Sequence, residues 1–176
     1  WRTKGYLLAD LGRQNESLAA YEEAIKIDPA DALTWSEKGS QLVQLKRCNE
    51  SLPAFDKALE LTPETDHKEL AAVWLSKGDA LNMTGRREEA IAAFQMSVNE
   101  SEDALLSYAN DTSIPELKGR ALLKLGNYDE AIKAFEQAID MAMPGSFHAP
   151  TVWIGKGDAL RAQRRNEAAL EAYNQA

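Results

Sequence analysis

A Lys-Gly step recurs five times along this chain, with its glycines at Gly5, Gly39, Gly78, Gly119 and Gly157. Successive glycines stand 34, 39, 41 and 38 positions apart, a 34-residue unit carrying insertions of 5, 7 and 4. A period of this size constrains the fold more than any composition statistic. Each unit is a supersecondary element that cannot bury its apolar face alone, so the units must stack. Aligned on the glycines, four units carry tryptophan four residues earlier, at Trp1, Trp35, Trp74 and Trp153, which are all the tryptophans present. Three residues after each glycine stands a leucine: Leu8, Leu42, Leu81, Leu122 and Leu160. Sixteen residues after it stands an aromatic: Tyr21, Phe55, Phe94, Phe135 and Tyr173. Two further columns hold small residues only. They are Ser17, Ser51, Ala90, Ala131 and Ala169, then Ala24, Ala58, Ser97, Ala138 and Ala176.

Spacings of three and four place these columns on helix faces. Trp35, Gly39 and Leu42 share one face of a first helix, and Ser51, Phe55 and Ala58 share one face of a second. A mid-helix glycine costs about 1 kcal/mol relative to alanine. The expectation is that another backbone comes close there, against the small-residue columns, while the aromatic fills the space between units. Gly12, Gly85 and Gly126 fall where a left-handed cap ends the first helix. Lys46 and Arg164 stand in the same column, and each is expected to carry about 1 kcal/mol of strain. Pro29 and Pro63 close the first two units, and Asp31 is placed to act as the next N-cap.

Trp, Gly, Leu, aromatic, small residue and Pro, in that order within one period, resemble the tetratricopeptide repeat (TPR), and the resemblance covers the whole chain. It implies an all-α, right-handed superhelical solenoid of five helix-turn-helix repeats, about ten helices. The expected organisation is a single array over 1–176, with repeats at about 1–31, 32–65, 71–102, 112–145 and 150–176. The insertions then fall at 66–70, 103–111 and 146–149. Residues 64–73 read as helical and lengthen the first helix of the third repeat. Residues 99–109 read as an overlong second helix, followed by a loop from Asn110 to Ile114. Pro115 replaces the tryptophan of the fourth repeat, and residues 144–150, with Pro144, Gly145 and Pro150, read as a turn.

The net charge of −8 and the pI near 4.9 oppose a nucleic-acid binder, which needs a basic surface. No apolar run approaches the ~20 residues of a membrane-spanning helix. The chain opens on Trp1 rather than Met, as expected of a piece of a longer protein. Five of the eight asparagines begin an Asn-x-Ser/Thr sequon: Asn15, Asn49, Asn82, Asn99 and Asn110. A cytoplasmic location is expected, and the sequons are the feature that points outside it. His67 and His148 lie in insertions, and Cys48 reads as a partly buried spacer between two helices. Gly155-Lys156-Gly157 lacks the following Ser/Thr of a phosphate loop. No catalytic residues, metal or cofactor are expected.

The resemblance instead implies a protein or peptide partner bound in a concave groove lined by the first helices. The lining columns are one residue past the tryptophan, one past the glycine, and one turn further on. They select Arg2, Tyr6 and Asp10; Ser36, Ser40 and Gln44; and Leu75, Asp79 and Asn82. The last two repeats add Glu116, Arg120 and Lys124, then Ile154, Asp158 and Arg161. Relatives that clamp a C-terminal carboxylate use Lys and Asn, then Lys and Arg, at two of these columns. Here the pairs are Arg2 and Tyr6 with Leu75 and Asp79, or Ser36 and Ser40 with Glu116 and Arg120, so that mode is not expected. Lys4, Lys38, Lys77, Lys118 and Lys156 form a column whose stems are expected to pack while the ammonium groups reach water. The alternative function is a self-associating array that oligomerises through its terminal repeats.

Overall fold

The computed structural model describes residues 1–142 and 150–176. Among these, ten helices follow one another with no strand: α1 (Arg2–Asp10), α2 (Gln14–Ile27), α3 (Ala32–Gln44), α4 (Cys48–Leu61), α5 (His67–Met83), α6 (Arg87–Ser107), α7 (Ser113–Leu125), α8 (Tyr128–Met141), α9 (Pro150–Ala162) and α10 (Asn166–Tyr173). The chain forms two compact units, Trp1–Ala93 and Phe94–Ala176, whose boundary falls within α6. In the first unit α1 packs on α2, α2 on α3, α3 on α4 and α4 on α5. In the second, α7 packs on α8, α8 on α9 and α9 on α10.

The five interhelix turns inside the repeats are built alike. One residue in each is left-handed: Gly12 (φ 71°), Lys46 (φ 62°), Gly85 (φ 80°), Gly126 (φ 83°) and Arg164 (φ 63°). The next N–H then reaches back to the carbonyl of the leucine column. These bonds run from Arg13 to Leu8 (2.8 Å), Arg47 to Leu42 (2.9 Å), Arg86 to Leu81, Asn127 to Leu122 and Arg165 to Leu160 (3.0 Å each). This is the Schellman closure, which satisfies carbonyls left over at a helix end. Lys46 and Arg164 adopt the strained conformation their column demands. Lys46→Gly and Arg164→Gly are each expected to stabilise the fold by about 1 kcal/mol, since a side chain with positive φ is penalised and glycine is not. Urea denaturation checks this, and no gain in either variant would contradict the strain.

What faces the glycine column differs from the expectation. A Cβ on Gly5 would lie 2.6 Å from the Tyr21 ring, one on Gly39 2.7 Å from Phe55, and one on Gly119 2.8 Å from Phe135. The neighbour is therefore an aromatic ring of the same repeat rather than a second backbone. The small-residue column does touch the first helix: the buried Ser17 hydroxyl donates to the Gly5 carbonyl at 2.7 Å. Phe135 also presses on the next repeat, where a Cβ on Gly155 would lie 2.4 Å from its ring. That contact accounts for Gly155, the first glycine of Gly155-Lys156-Gly157, as packing.

The insertions change helix lengths, with small shifts from the expected bounds. α5 begins at His67 rather than residue 64, because the Asp66 side chain accepts from the Glu69 N–H at 3.2 Å and caps it there. α6 runs 21 residues and stops at Ser107. Ile114 lies inside α7 rather than in the preceding loop, and Pro115 sits in the first turn of α7, where no N–H is needed. The expected turn at 144–150 falls outside the described residues except for Pro150, which opens α9. Asp31 precedes α3, but its carboxylate accepts from Thr34 Oγ1 (2.6 Å) and Arg2 Nη1 (3.1 Å) instead of a helix N–H. Cys48 is the first residue of α4 and is buried, with Sγ 3.8 Å from Met83 Sδ, rather than half-exposed in a turn.

Candidate functional site

Four of the five column lysines lay their stems against the fold and end on an acid at the surface. Lys38 pairs with Glu22 (3.4 Å), Lys77 with Asp56 (2.6 Å), Lys118 with Glu102 (2.7 Å) and Lys156 with Glu136 (2.9 Å). Each acid belongs to the preceding repeat's second helix. In three of these repeats the same ammonium also lies over the tryptophan ring. Lys38 is 5.7 Å from Trp35, Lys77 is 4.9 Å from Trp74 and Lys156 is 5.7 Å from Trp153. A cation between a ring face and a carboxylate gains from both. At these four positions the column ties neighbouring repeats together through ion pairs at the surface.

In the first unit the expected groove residues divide by burial. Arg2, Tyr6, Asp10, Gln44 and Asn82 are exposed, and Ser40 and Asp79 are half-exposed. Ser36 (9% exposed) and Leu75 (2%) are buried and present no surface to a partner. Ser36 lies on the central first helix of this unit, which packs against α4 and α5. Leu75 is an aliphatic side chain for which burial is worth about 2 kcal/mol. In the second unit Arg120, Lys124, Ile154 and Arg161 are exposed, and Glu116 and Asp158 are half-exposed. Asp158 is engaged twice, accepting from the Tyr173 hydroxyl at 2.8 Å and pairing with Arg161 at 3.1 Å.

Two of these residues, Arg2 and Tyr6, are brought together in a notch of about 220 Å³ completed by Thr3, Tyr21, Leu33 and Glu37. Sequence reasoning missed Thr3, Leu33 and Glu37 and read Tyr21 as packing alone. Glu37 lies two residues before the glycine, in a column occupied elsewhere by Thr3, Ser76, Leu117 and Gly155. That variability was the available signal. Tyr21 is 1% exposed and its hydroxyl donates to Glu37 Oε2 at 3.4 Å. Burial, and next the Glu37 carboxylate, push the Tyr21 phenol up to about 12. Burial also raises the Glu37 carboxyl above its ordinary range, opposed by the Tyr21 hydrogen bond and by Arg2. Glu69 on α5 is raised by burial first, then by Asp66 and Glu37.

A carboxyl raised on folding binds its proton more readily in the folded state. Its stabilising contribution is complete below the unfolded value near 4.5 and is lost as pH rises through the raised folded value. Glu37→Gln is therefore expected to melt at a higher temperature than the parent at pH 7 and to lose that advantage near pH 4. Arg2 and the Tyr21 hydroxyl, which oppose the rise at Glu37, are present in both proteins, and removing the Glu37 charge also eases the rise at Glu69. Equal melting temperatures at pH 7 would contradict the desolvation.

Other polar features serve the fold. Arg13–Glu16, Arg47–Glu50 and Arg86–Glu89 form two-point forks at the start of three second helices, on the surface. Three sequon hydroxyls are buried and bonded to backbone carbonyls: Ser17 to Gly5, Ser51 to Cys48 and Ser101 to Ser97. Packing thus accounts for the serine in those three.

A helix pair repeated with these columns, closed by the same turn and tied by the same lysine, defines a helical-repeat protein. The sequence places it further: tetratricopeptide-repeat family models match residues 5–40, 31–99 and 117–176, and the chain belongs to that family. Comparison with curated proteins finds no match. Among solved structures, the fold is similar to a thermophilic TPR protein of Thermus thermophilus. That likeness has a TM-score of 0.77 at 20% identity, over 99% of this chain and 87% of the other. It is also similar to MamA of Desulfovibrio magneticus RS-1, with a TM-score of 0.59 at 17% identity over 99% and 89%. A third is YrrB, described as a TPR protein with an unusual peptide-binding site, with a TM-score of 0.52 at 22% identity over 99% and 81%. Among the described residues no helix is long and apolar enough to cross a membrane.

Proposed function

We propose that this chain is a non-catalytic interaction module that binds a peptide or a partner helix on the first helices of its first unit, α1, α3 and α5. The observation behind this reading is the notch at Arg2, Tyr6 and Glu37. It joins two expected groove positions to a carboxylate and an apolar wall on that face. Polar side chains of both signs beside a few apolar points suit an extended peptide better than a small apolar ligand. YrrB, similar in fold, is a TPR protein with a peptide-binding site, which favours the same class of ligand.

The test uses an array of random 12-residue peptides, probed with the parent and with Asp79→Lys on α5. Peptides selected by the parent are expected to lose at least tenfold in affinity for the variant, while the helical circular dichroism signal is retained. Peptides that bind the variant equally well would move the site off this face. Self-association through the terminal repeats is the second reading, favoured by the exposure of Leu11 (70%) and Leu170 (61%). Sedimentation velocity decides it, and a monomer at the highest soluble concentration would remove it.

A further inference from the structure

We infer that the notch between α1 and α3 seats a basic side chain of the partner peptide, a lysine or arginine, with Glu37 as its counter-charge. This rests on the groove reading above and adds the chemistry of the ligand.

The strongest argument comes from the way the protein pairs its own cations. Three times the chain assembles a trio of ammonium, aromatic ring and carboxylate: Lys38 with Trp35 and Glu22, Lys77 with Trp74 and Asp56, and Lys156 with Trp153 and Glu136. The notch holds two parts of that trio and lacks the third. Tyr6 offers an exposed ring and Glu37 a half-buried carboxylate, with Leu33 as an aliphatic wall for a long stem. Among the described residues no cation lies within ion-pair distance of Glu37, whose hydrogen-bond donor is the Tyr21 hydroxyl at 3.4 Å. Arg2 lines the same notch, but its guanidinium is held on Asp31, with Nη1 at 3.1 and 3.3 Å from the two carboxylate oxygens. Its charge is already matched.

A carboxylate drawn partly out of water without an ion-paired cation is a cost to the fold. A cation arriving from outside removes that cost, so the ligand gains more here than at a solvated acid. The raised proton affinity of Glu37 has the same cause, burial. At about 220 Å³ the notch is smaller than typical small-molecule sites and matches one side chain. The net charge of −8 steers basic partners toward the protein at long range. An acidic peptide meets the opposite field and an unneutralised Glu37.

The experiment takes the peptides selected on the random array and measures their affinities by fluorescence anisotropy against three proteins. These are the parent, Glu37→Gln and Asp79→Lys. The selected peptides are expected to be enriched in lysine and arginine. Replacing one lysine of a selected peptide by norleucine is expected to weaken binding about tenfold. Glu37→Gln is expected to do the same, and the two changes together are expected to cost little more than either alone. Glu37→Gln keeps the carboxylate's shape, and its melting temperature reports folding independently. Selected peptides that are neutral or acidic would overturn the proposal. So would peptides that bind Glu37→Gln as tightly as the parent. If such peptides still fail to bind Asp79→Lys, the groove reading stands and only the notch is wrong. If they bind all three proteins equally, both readings fall, and an array that yields no binder overturns both as well.

Discussion

Phe135→Ala is expected to cost about 3–5 kcal/mol of stability, the range for deleting a fully buried phenylalanine ring. The ring is 0% exposed and lies between two glycines of successive repeats, Gly119 and Gly155. Added Cβ atoms there would stand 2.8 and 2.4 Å from it, closer than real carbon contacts allow. The same geometry makes a second, coupled forecast. Gly155→Ala in the parent is expected to destabilise by about 1–3 kcal/mol, because overpacking outweighs the gain in helix propensity. In the Phe135→Ala background the clash is gone, and Gly155→Ala is expected to stabilise by about 1 kcal/mol through helix propensity. A double-mutant cycle in urea measures this reversal of sign. Equal effects of Gly155→Ala in both backgrounds would show that the ring is not pinned between the repeats.

Pro53→Ala is expected to move stability the other way, by about 2 kcal/mol, most of the penalty for proline inside a helix. Pro53 lies inside α4, which begins at Cys48, on an exposed face. A proline there removes the N–H that would bond the Asn49 carbonyl and crowds the preceding turn, at about 3 kcal/mol in a helix interior. Two effects reduce the gain on removing it. Asn49 is exposed, so water can already serve its carbonyl. Proline also restricts the unfolded chain, an advantage of about 0.4–1 kcal/mol that alanine gives up. The net remains large because the penalty is one of helix geometry at an exposed position. Thermal melts of Pro53→Ala and Pro53→Gly check this: both restore the N–H, and glycine is expected to gain about 1 kcal/mol less because of its lower helix propensity. If Pro53→Ala melts no higher than the parent, α4 must already be relieved at that turn.

Local chemistry made much of this protein legible before any coordinates. The left-handed turn residues, including Lys46 and Arg164, followed from alignment alone, because a backbone closure repeated five times imposes one conformation on one column. The lengthened α5 and α6 followed from helical composition in the inserted segments. Asp31 shows where such reasoning stops. Its position is that of an N-cap, but a guanidinium from α1 and the Thr34 hydroxyl compete for its carboxylate. A charge-assisted bond between two ions outranks a capping bond to a neutral N–H.

The candidate site was legible in outline only. Column positions identified Arg2 and Tyr6, but they also selected Ser36 and Leu75, which the fold buries. They passed over Glu37, because its column carries a different residue in every repeat. The helix pairs, their turns and the family could be read without coordinates, since each rests on spacings that lie within one period and recur along the chain. Which acid answers each lysine, which ring presses on which glycine, and which carboxylate is left without a cation were settled by packing. Those outcomes depend on what the next helix brings opposite a side chain, and spacing along one helix does not encode that.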